Sequence, residues 1–491
     1  MNHYDLVVIG AGPGGTPAAM AAAQFGKQVL LVDKRGEPGG ECLFEGCIPS
    51  KILENAANRY AMLKAAEGFH VELTSEPQIH WSEVLKEKER ILKMRAMGAM
   101  KRIEALPTLE FRAGSARFVD EHTIEVEGER IGFDHAVIAT GALAHLPPLT
   151  GDGVAKAWTN ADVFKSAEIP EEIAFIGAGA ISCELVQMFA KLGVKCHILE
   201  RSPRILKRID EQSALIVQKR MMEQGIDVIL NVEFDGIDGD LGHYTVRYTQ
   251  NGEAKTLTVP HLLIATGRSP NVEDLGLEAA GVEYDHHGIR TDEGMRTSQP
   301  HIYAVGDCAV GPKFAHWATY QAGIAVHNIF APAQRRAVEP DKLSWVLFSD
   351  PQIASAGLSE EEAKARGMEV SGELYDYAVD ARAQIDHATD GILKFVVDKA
   401  TKKIVGVQVV GPEASSLSGE AALIVSQKMS LMEVMGAIHP HPTYSEAFGN
   451  VARTAFFKGM MAMRRGGGQG NAHGAPGGSG GPHGHGHGGG H

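Results

Sequence analysis

The chain has 491 residues, which is enough for about three or four domains of ordinary size. Its 61 acidic and 47 basic residues give a formal net charge of −14, which argues against a nucleic-acid or anionic-membrane partner. No apolar run approaches the ~20 residues that span a bilayer. An apolar strand pattern begins almost at the N-terminus, leaving no room for a secretion signal, and cysteines are sparse, so we expect a cytoplasmic protein.

The first predicted unit is a strand, a glycine-rich turn, a helix and a second strand. The first strand covers residues 6–9, the helix runs through Phe25, and the second strand ends at Asp33. The turn has G-x-G-x-x-G spacing, at Gly10, Gly12 and Gly15. Such glycines let the backbone approach a pyrophosphate at the helix N-terminus, and Asp33 stands where a ribose hydroxyl is bound. The unit therefore predicts a dinucleotide site.

Two cysteines, Cys42 and Cys47, follow this unit and could exchange an electron pair as dithiol and disulfide. In a regular helix their Cα atoms would be roughly 8.6 Å apart, whereas a disulfide needs about 7 Å or less. We therefore expect a break in the helix between them, with Gly46 and Pro49 providing it. A metal site or two unrelated thiols is the alternative, but the other three cysteines are scattered and supply no second ligand pair.

The same unit recurs later in the chain. A strand over residues 173–176 leads into Gly177 and Gly179, with Ser182 in place of the third glycine, and the second strand ends in Glu200. A carboxylate there accepts a hydrogen bond from a ribose 2′-hydroxyl and repels a 2′-phosphate, which favours NAD over NADP. Three nearby cations could instead serve a phosphate: Arg201, Arg204 and Lys207.

Each unit is followed by an apolar strand that ends in a small-residue turn, which indicates an internal duplication. The first such turn contains Thr140 and Gly141, and the second contains Gly267. A further short strand ends at Gly306 and Asp307, where a carboxylate could bind a ribitol or ribose hydroxyl. A turn residue or helix cap is the alternative interpretation of that aspartate.

The predicted fold class is α/β, with two Rossmann-like dinucleotide-binding domains and an α+β C-terminal domain that has strands over residues 391–397 and 404–410. We place the first domain with the cysteine pair at residues 1–150 and the second at 151–270. A return segment of the first domain covers 271–345, the C-terminal domain covers 346–464, and a disordered Gly/His-rich tail covers 465–491.

Together these features resemble the flavin-dependent pyridine nucleotide–disulfide oxidoreductases, over nearly the whole chain. The resemblance is carried by both glycine turns, by the run from Cys42 to Lys51, by the segment 297–307 and by the segment 439–446. Within the family, the Cys-x4-Cys-Ile-Pro-Ser-Lys run and the His-x-His-Pro-Thr-x-Ser-Glu segment are most similar to the dihydrolipoamide dehydrogenases.

The resemblance implies FAD on the first unit, NAD on the second, and a homodimer in which the C-terminal domain of one subunit completes the active site of the other. It implies a lipoyl-bearing carrier protein or dihydrolipoamide as substrate, and no metal. The implied FAD-binding residues are Gly10, Gly12, Gly14, Gly15, Asp33, Lys51, Thr140, Gly141, Gly306 and Asp307. The implied NAD-binding residues are Gly177, Gly179, Glu184, Glu200 and Gly267.

Catalytic roles follow from the same resemblance. Cys47 is expected next to the flavin as the charge-transfer thiolate, and Cys42 as the interchange thiol that exchanges with the substrate through a mixed disulfide. His441, oriented by Glu446, fits the base that exchange requires, and His439 fits less well. The pair Lys51 and Glu184 is expected at the flavin N5 edge, although a plain helix salt bridge is the alternative. Glu41 departs from the usual small residue, and we expect this change on the substrate side.

The predicted activity is oxidation of a dihydrolipoyl dithiol through Cys42 and Cys47 and FAD to NAD. A reductase of disulfides or mercuric ion within the same family is the first alternative. Against a mercuric reductase, no cysteine follows Cys308 to pass metal inward. A non-catalytic flavoprotein, or a metal-binding module that uses the His-rich tail, is an alternative of another class.

Overall fold

The computed structural model describes residues 2–466. The first part of the chain forms a parallel sheet with helices, followed by an antiparallel meander. Its elements are β1 (Asn2–Ile9), α1 (Gly15–Gln24), β2 (Val29–Asp33), α2 (Gly40–Phe44), α3 (Cys47–Lys64), α4 (Trp81–Glu104), β3 (Leu109–Ala113), β4 (Ala116–Asp120), β5 (Thr123–Val126), β6 (Glu129–Ile138) and β7 (Ala142–Ala144).

The second part repeats the parallel arrangement on a smaller sheet. Its elements are α5 (Asn160–Val163), β8 (Glu172–Ile176), α6 (Ala180–Lys191), β9 (Lys195–Leu199), α7 (Glu211–Glu223), β10 (Asp227–Ile229), β11 (Val232–Asp240), β12 (His243–Gln250), β13 (Glu253–Val259), β14 (His261–Ile264) and β15 (Arg268–Pro270). The parallel sheet has the order β10-β9-β8-β14, and β11, β12 and β13 form a separate antiparallel sheet.

The chain then returns to the first sheet and ends in a third region. The return consists of β16 (Tyr284–Asp285), β17 (Gly288–Ile289), β18 (Ile302–Ala304) and α8 (Ala315–Phe330). The third region consists of β19 (Ser344–Leu347), β20 (Gln352–Gly357), α9 (Glu360–Ala365), β21 (Val370–Asp376), α10 (Ala381–Ile385), β22 (Ile392–Asp398), β23 (Ile404–Gly411), α11 (Ala414–Ser426), α12 (Leu431–Met435) and α13 (Glu446–Gly466).

Strand pairing confirms the predicted α/β fold. The first sheet has the order β3-β2-β1-β6-β5-β4, and β18 pairs in parallel with the C-terminal half of β6. The third region is an antiparallel sheet in the order β19-β20-β23-β22-β21 with helices beside it, as an α+β region should be. Helix α13 continues to Gly466, so it overlaps the start of the expected tail. The rest of that tail, residues 467–491, lies outside the described residues.

The two parallel sheets confirm the internal duplication in detail. β1 lies between β2 and β6, just as β8 lies between β9 and β14. Gly10 has φ +101°, and a Cβ there would meet the Ala139 oxygen at 2.4 Å. Gly177 has φ +92°, and its Cβ would meet the Ala265 oxygen at 2.9 Å. Each unit therefore needs glycine where the turn passes against the returning strand.

A buried ion pair joins the second part of the chain to the third. Lys394 on β22 bonds Asp210, the N-cap of α7, and the two side chains are 6% and 3% exposed. Burial alone would raise the pKa of Asp210, but the hydrogen bonds from Lys394 and Ser213 outweigh it and lower the pKa. The charge of each partner is therefore tolerated only because the other is present.

Replacing Lys394 by alanine should lower the free energy of unfolding by about 3–5 kcal/mol, because it leaves a buried carboxylate uncompensated. Urea unfolding of the purified protein measures this. Lys403→Ala, just before β23, breaks an exposed pair with Glu433 and should cost less than about 1 kcal/mol. Because the pKa of Asp210 is lowered, its stabilisation is present at neutral pH and is lost as the pH falls through its folded pKa. If Lys394→Ala and Lys403→Ala lower the free energy of unfolding equally, Lys394 does not compensate a buried charge.

Candidate active site

One cavity of about 680 Å³ runs between the first and second parts of the chain. Its size lies within the range of small-molecule and cofactor sites. Most of the predicted site residues line it: Gly10, Gly12, Gly14, Asp33, Cys42, Cys47, Lys51, Thr140, Gly141, Glu184, Gly306 and Asp307. The thiols and the first nucleotide turn, which were predicted from separate patterns, therefore open onto one space.

The first glycine turn is shaped for a group that approaches the backbone. A Cβ on Gly12 would meet only the Gly40 Cα, at 3.7 Å, so this side of the turn is open. At Gly15 a Cβ would lie 1.7 Å from the Gly10 oxygen, so Gly15 does not line the cavity but closes the turn. Asp33 accepts a hydrogen bond from the Ala11 N–H at 2.7 Å. These residues fit the pyrophosphate and ribose of FAD.

The cysteine pair lies at the expected break between helices. α2 ends at Phe44 and α3 begins at Cys47, and Gly46 between them has φ −146° and ψ −110°. Both cysteines are free thiols in this structure, which is the dithiol form. Cys47 is the first residue of an 18-residue helix, a position that favours a thiolate.

The two thiols differ in acidity because they share a hydrogen bond. The pKa of Cys47 is lowered, chiefly because Cys42 donates to its sulfur. The pKa of Cys42 is raised, chiefly by the same hydrogen bond and then by burial. These opposite shifts favour ionisation of Cys47 before Cys42.

Lys51 and Glu184 are in contact, as predicted. The Lys51 Nζ donates to Glu184 at 2.8 Å and to Glu54 at 2.7 Å. The other Glu184 oxygen accepts from the Phe348 N–H at 2.8 Å, and the Lys51 ammonium lies 4.3 Å from the centre of the Phe348 ring. Glu54 and Phe348 were not predicted, although Glu54, three residues after Lys51, could have been found from helical spacing.

The second glycine turn repeats the first. Glu200 accepts a hydrogen bond from the Ala178 N–H at 2.8 Å, as Asp33 does from Ala11. Apart from its chain neighbours, no atom of residues 2–466 lies within 4 Å of a Cβ built on Gly179, so this turn is also open to a dinucleotide. Arg204, a possible phosphate ligand by sequence, instead donates to backbone oxygens, including Leu206 at 2.8 Å and Ile209 at 3.0 Å. Its guanidinium is therefore hydrogen-bonded within its own loop rather than left free for a nucleotide phosphate.

His441 and Glu446 are in contact but lie outside the cavity. The His441 Nδ1 lies 3.0 Å from both Glu446 oxygens, and the imidazole side chain is 71% exposed. Burial alone would raise the pKa of Glu446, but bonds from the Thr443 N–H and His441 lower it, so the carboxylate stays ionised. His439 is mostly buried and pairs with Glu420 at 2.8 Å. Within one described chain, residues 2–466, the imidazole of His441 is not brought to the thiols.

Sequence reasoning missed a charged cluster beside Cys42. Arg268, the first residue of β15, forms a two-pronged ion pair with Glu41 and lies 3.5 Å from Asp307. Asn160 donates to Glu41 at 3.1 Å. The Glu41 carboxylate is held inside the cavity by residues far away in sequence, and its expected place on the substrate side stays a prediction.

The fold and the cavity define a two-dinucleotide oxidoreductase with a dithiol at its centre. The chain belongs to the pyridine nucleotide-disulphide oxidoreductase family: the family model matches residues 4–322, and that of its dimerisation domain matches residues 343–452. The cofactors of this family are FAD and a pyridine nucleotide, in agreement with the predicted FAD and NAD.

Several known proteins are similar over most of the chain. A dihydrolipoyl dehydrogenase of Geobacillus stearothermophilus is 35% identical over 92% of this chain and 96% of its own length. A mercuric reductase of Staphylococcus aureus is 31% identical over 92% of this chain and 82% of its own. The fold also matches the HOCl-induced flavoprotein disulfide reductase RclA from Escherichia coli, with a TM-score of 0.80, 24% identity and coverage of 92% and 99%.

Two further properties of the described residues concern membranes and metal ions. Between residues 2 and 466, no helix is both long and apolar enough to cross a membrane. In the same span, no three His, Cys, Asp or Glu side chains are grouped so that they could hold a metal ion.

Proposed function

We propose that the protein is a dihydrolipoyl dehydrogenase that uses FAD and NAD. The observation that carries this proposal is the acidic thiol Cys47 beside Cys42, in the same cavity as the open glycine turn and the Lys51–Glu184 pair. Similarity to dihydrolipoyl dehydrogenases over nearly the whole chain supports the choice of substrate. The absence of any cysteine after Cys308 in the sequence favours a dithiol over mercuric ion.

The proposed reaction converts a dithiol and NAD⁺ into a disulfide, NADH and H⁺. One substrate thiolate attacks Cys42 in the oxidised protein, giving a mixed disulfide and releasing Cys47 as a thiolate. The second substrate thiol then displaces Cys42, which leaves as a thiol after receiving a proton. FAD, held at Gly10, Gly12 and Asp33, would supply the two-electron chemistry that links oxidation of the dithiol to reduction of NAD⁺. Lys51 places a positive charge in the cavity, where it stabilises added negative charge.

His441 is proposed as the group that accepts and returns the substrate protons. Its Nδ1 is occupied by Glu446, and Nε2 makes no hydrogen bond to any residue between 2 and 466, so Nε2 can take a proton. Apolar side chains of the same third region are also exposed, with Ile438 at 98%, Leu423 at 62% and Met432 at 61%. We infer a homodimer in which His441 and Glu446 of each subunit complete the site of the other.

The substrate is tested by comparing reactions with purified, FAD-loaded protein. We expect NAD⁺ reduction with free dihydrolipoamide, faster reduction with a lipoylated carrier protein, and far slower turnover of glutathione disulfide or mercuric ion with NADH or NADPH. NADPH-dependent reduction of mercuric ion or of glutathione disulfide that outpaces dihydrolipoamide oxidation would contradict the proposal.

Nucleotide preference is proposed to rest on Glu200. Glu200→Gln should lower the ratio of kcat/KM for NAD⁺ to that for NADP⁺ by about tenfold to a hundredfold, because a charged acceptor for the 2′-hydroxyl is lost. Steady-state kinetics with both nucleotides measures the ratio. Glu223→Gln removes an exposed carboxylate at the end of α7, the helix between β9 and β10, and should leave the ratio unchanged. An unchanged ratio in Glu200→Gln would show that this carboxylate does not select the nucleotide.

A further inference from the structure

The carboxylate of Glu41 joins three segments that are distant in sequence. Its Oε1 accepts from Arg268 Nη1 at 2.6 Å and from Asn160 Nδ2 at 3.1 Å, and its Oε2 accepts from Arg268 Nη2. Arg268 Nη2 also donates to the Ala142 oxygen at 2.5 Å. Glu41 thus connects α2 both to α5, through Asn160, and to β15, through Arg268.

α2 needs such a connection because it has little stability of its own. It has only five residues, and its N-cap makes no side-chain hydrogen bond. Gly39 before it and Gly40, its first residue, have φ +138° and +59°, and Gly46 lies two residues after its end. A helix of this length is unstable in isolation. Leu43 is its one buried residue, so apolar packing holds α2 only weakly. Glu41 therefore supplies the main polar attachment of this helix.

The ion pair is strong enough for this task. The side chains of Arg268 and Glu41 are 19% and 26% exposed, and a two-pronged arginine–carboxylate contact is both stronger and more directional than a single bond. Asn160 adds a second attachment, since its Nδ2 also donates to the backbone oxygen of Glu45, just past the end of α2, at 2.7 Å. The segment that carries Cys42 is therefore held at both ends.

We propose that Glu41 is a positioning residue for the interchange thiol. Through Arg268 and Asn160 it fastens α2 to the second nucleotide-binding part of the chain and so fixes Cys42 relative to Cys47. The inference rests on the proposed role of Cys42 in exchange. It assigns Glu41 no contact with the substrate.

Hydrogen exchange and thiol alkylation of the FAD-loaded, dithiol form test the proposal. In Glu41→Gln, backbone exchange in segment 40–46 should speed up by about tenfold or more, because a charge-assisted pair is lost. Alkylation of Cys42 should rise with it, while the thiolate of Cys47 keeps its long-wavelength absorbance. Glu125→Gln breaks a comparable but exposed pair with Arg117 and should change none of these readouts.

Two further variants separate the possible outcomes. Arg268→Gln and the double variant should match Glu41→Gln, since all three remove the same attachment. Glu41→Asp keeps the charge and should loosen the segment less than Glu41→Gln. It replaces Glu41→Gln in the test if that variant does not fold. Unchanged hydrogen exchange in segment 40–46 of Glu41→Gln would overturn the proposal. This holds even if the variant binds FAD more weakly. If the segment loosens in a protein that does not oxidise dihydrolipoamide, the proposed function fails while the positioning role stands.

Discussion

Replacing Cys47 by serine should abolish both dihydrolipoamide-dependent NAD⁺ reduction and the long-wavelength absorbance of the reduced protein. Turnover should fall by at least about 10³-fold, as expected when a covalent participant is removed. The absorbance should vanish because Cys47, the thiol with the lowered pKa, is proposed to supply the thiolate next to the flavin. Anaerobic reduction of the purified variant, followed by its visible spectrum, measures this.

Cys42→Ala provides the contrast to this variant. Turnover should be lost to the same extent, but the absorbance should remain because the Cys47 thiolate is still present. Its pKa should be higher than in the unaltered protein, since the hydrogen bond from Cys42 is the chief cause of the lowering. The band should therefore fade at a higher pH as the solution is acidified. Cys196→Ala alters a buried cysteine of β9 and should change neither readout. Persistence of the band in Cys47→Ser would reverse the two assignments.

Replacing His441 by glutamine should slow dithiol oxidation by about 10²–10⁴-fold, the usual contribution of a positioned base. Reduction of the bound flavin by NADH should be nearly unaffected, because that step uses no proton held by His441. Stopped-flow measurement of the two half-reactions separates these effects. Glu446→Gln should give a smaller loss in the same half-reaction, since it leaves the imidazole in place but removes its orienting carboxylate.

The histidine pair also allows a decisive comparison. His439→Gln removes an imidazole whose Nε2 is already paired with Glu420, so dithiol oxidation should change much less than in His441→Gln. If His439→Gln instead causes the greater loss in the dithiol half-reaction, the base has been assigned to the wrong residue.

Local sequence patterns predicted the nucleotide-binding units because their physical requirements are local. A Cβ on Gly10 would meet the returning strand at Ala139, and one on Gly15 would meet Gly10 within the turn itself. The break between Cys42 and Cys47 was likewise predictable, since it follows from helix dimensions and from Gly46. Asp33 and Glu200 were predicted as ribose ligands, and the structure adds that each also holds its turn through a backbone N–H.

The remaining features depend on contacts that no periodicity encodes. Glu41 and Arg268 are 227 residues apart, and Asp210 and Lys394 are 184 apart, so neither pair could be derived from spacing. The sequence therefore singled out Glu41 only as an unusual residue beside Cys42, without its ion pair to Arg268. The hydrogen bonds of Arg204 to backbone oxygens could not be predicted either, because the sequence does not show whether a cation in a loop is free or bonded.

The central claim is that Cys42 and Cys47 form a disulfide that is reversibly reduced by a dihydrolipoyl dithiol. It is tested most directly by alkylating the protein before and after anaerobic addition of one equivalent of dihydrolipoamide, and weighing the peptides that contain the two cysteines. The account predicts a linked, unalkylated pair before addition and two alkylated thiols after it. Two alkylated thiols before any reductant is added, or a pair that stays linked after addition, would contradict it.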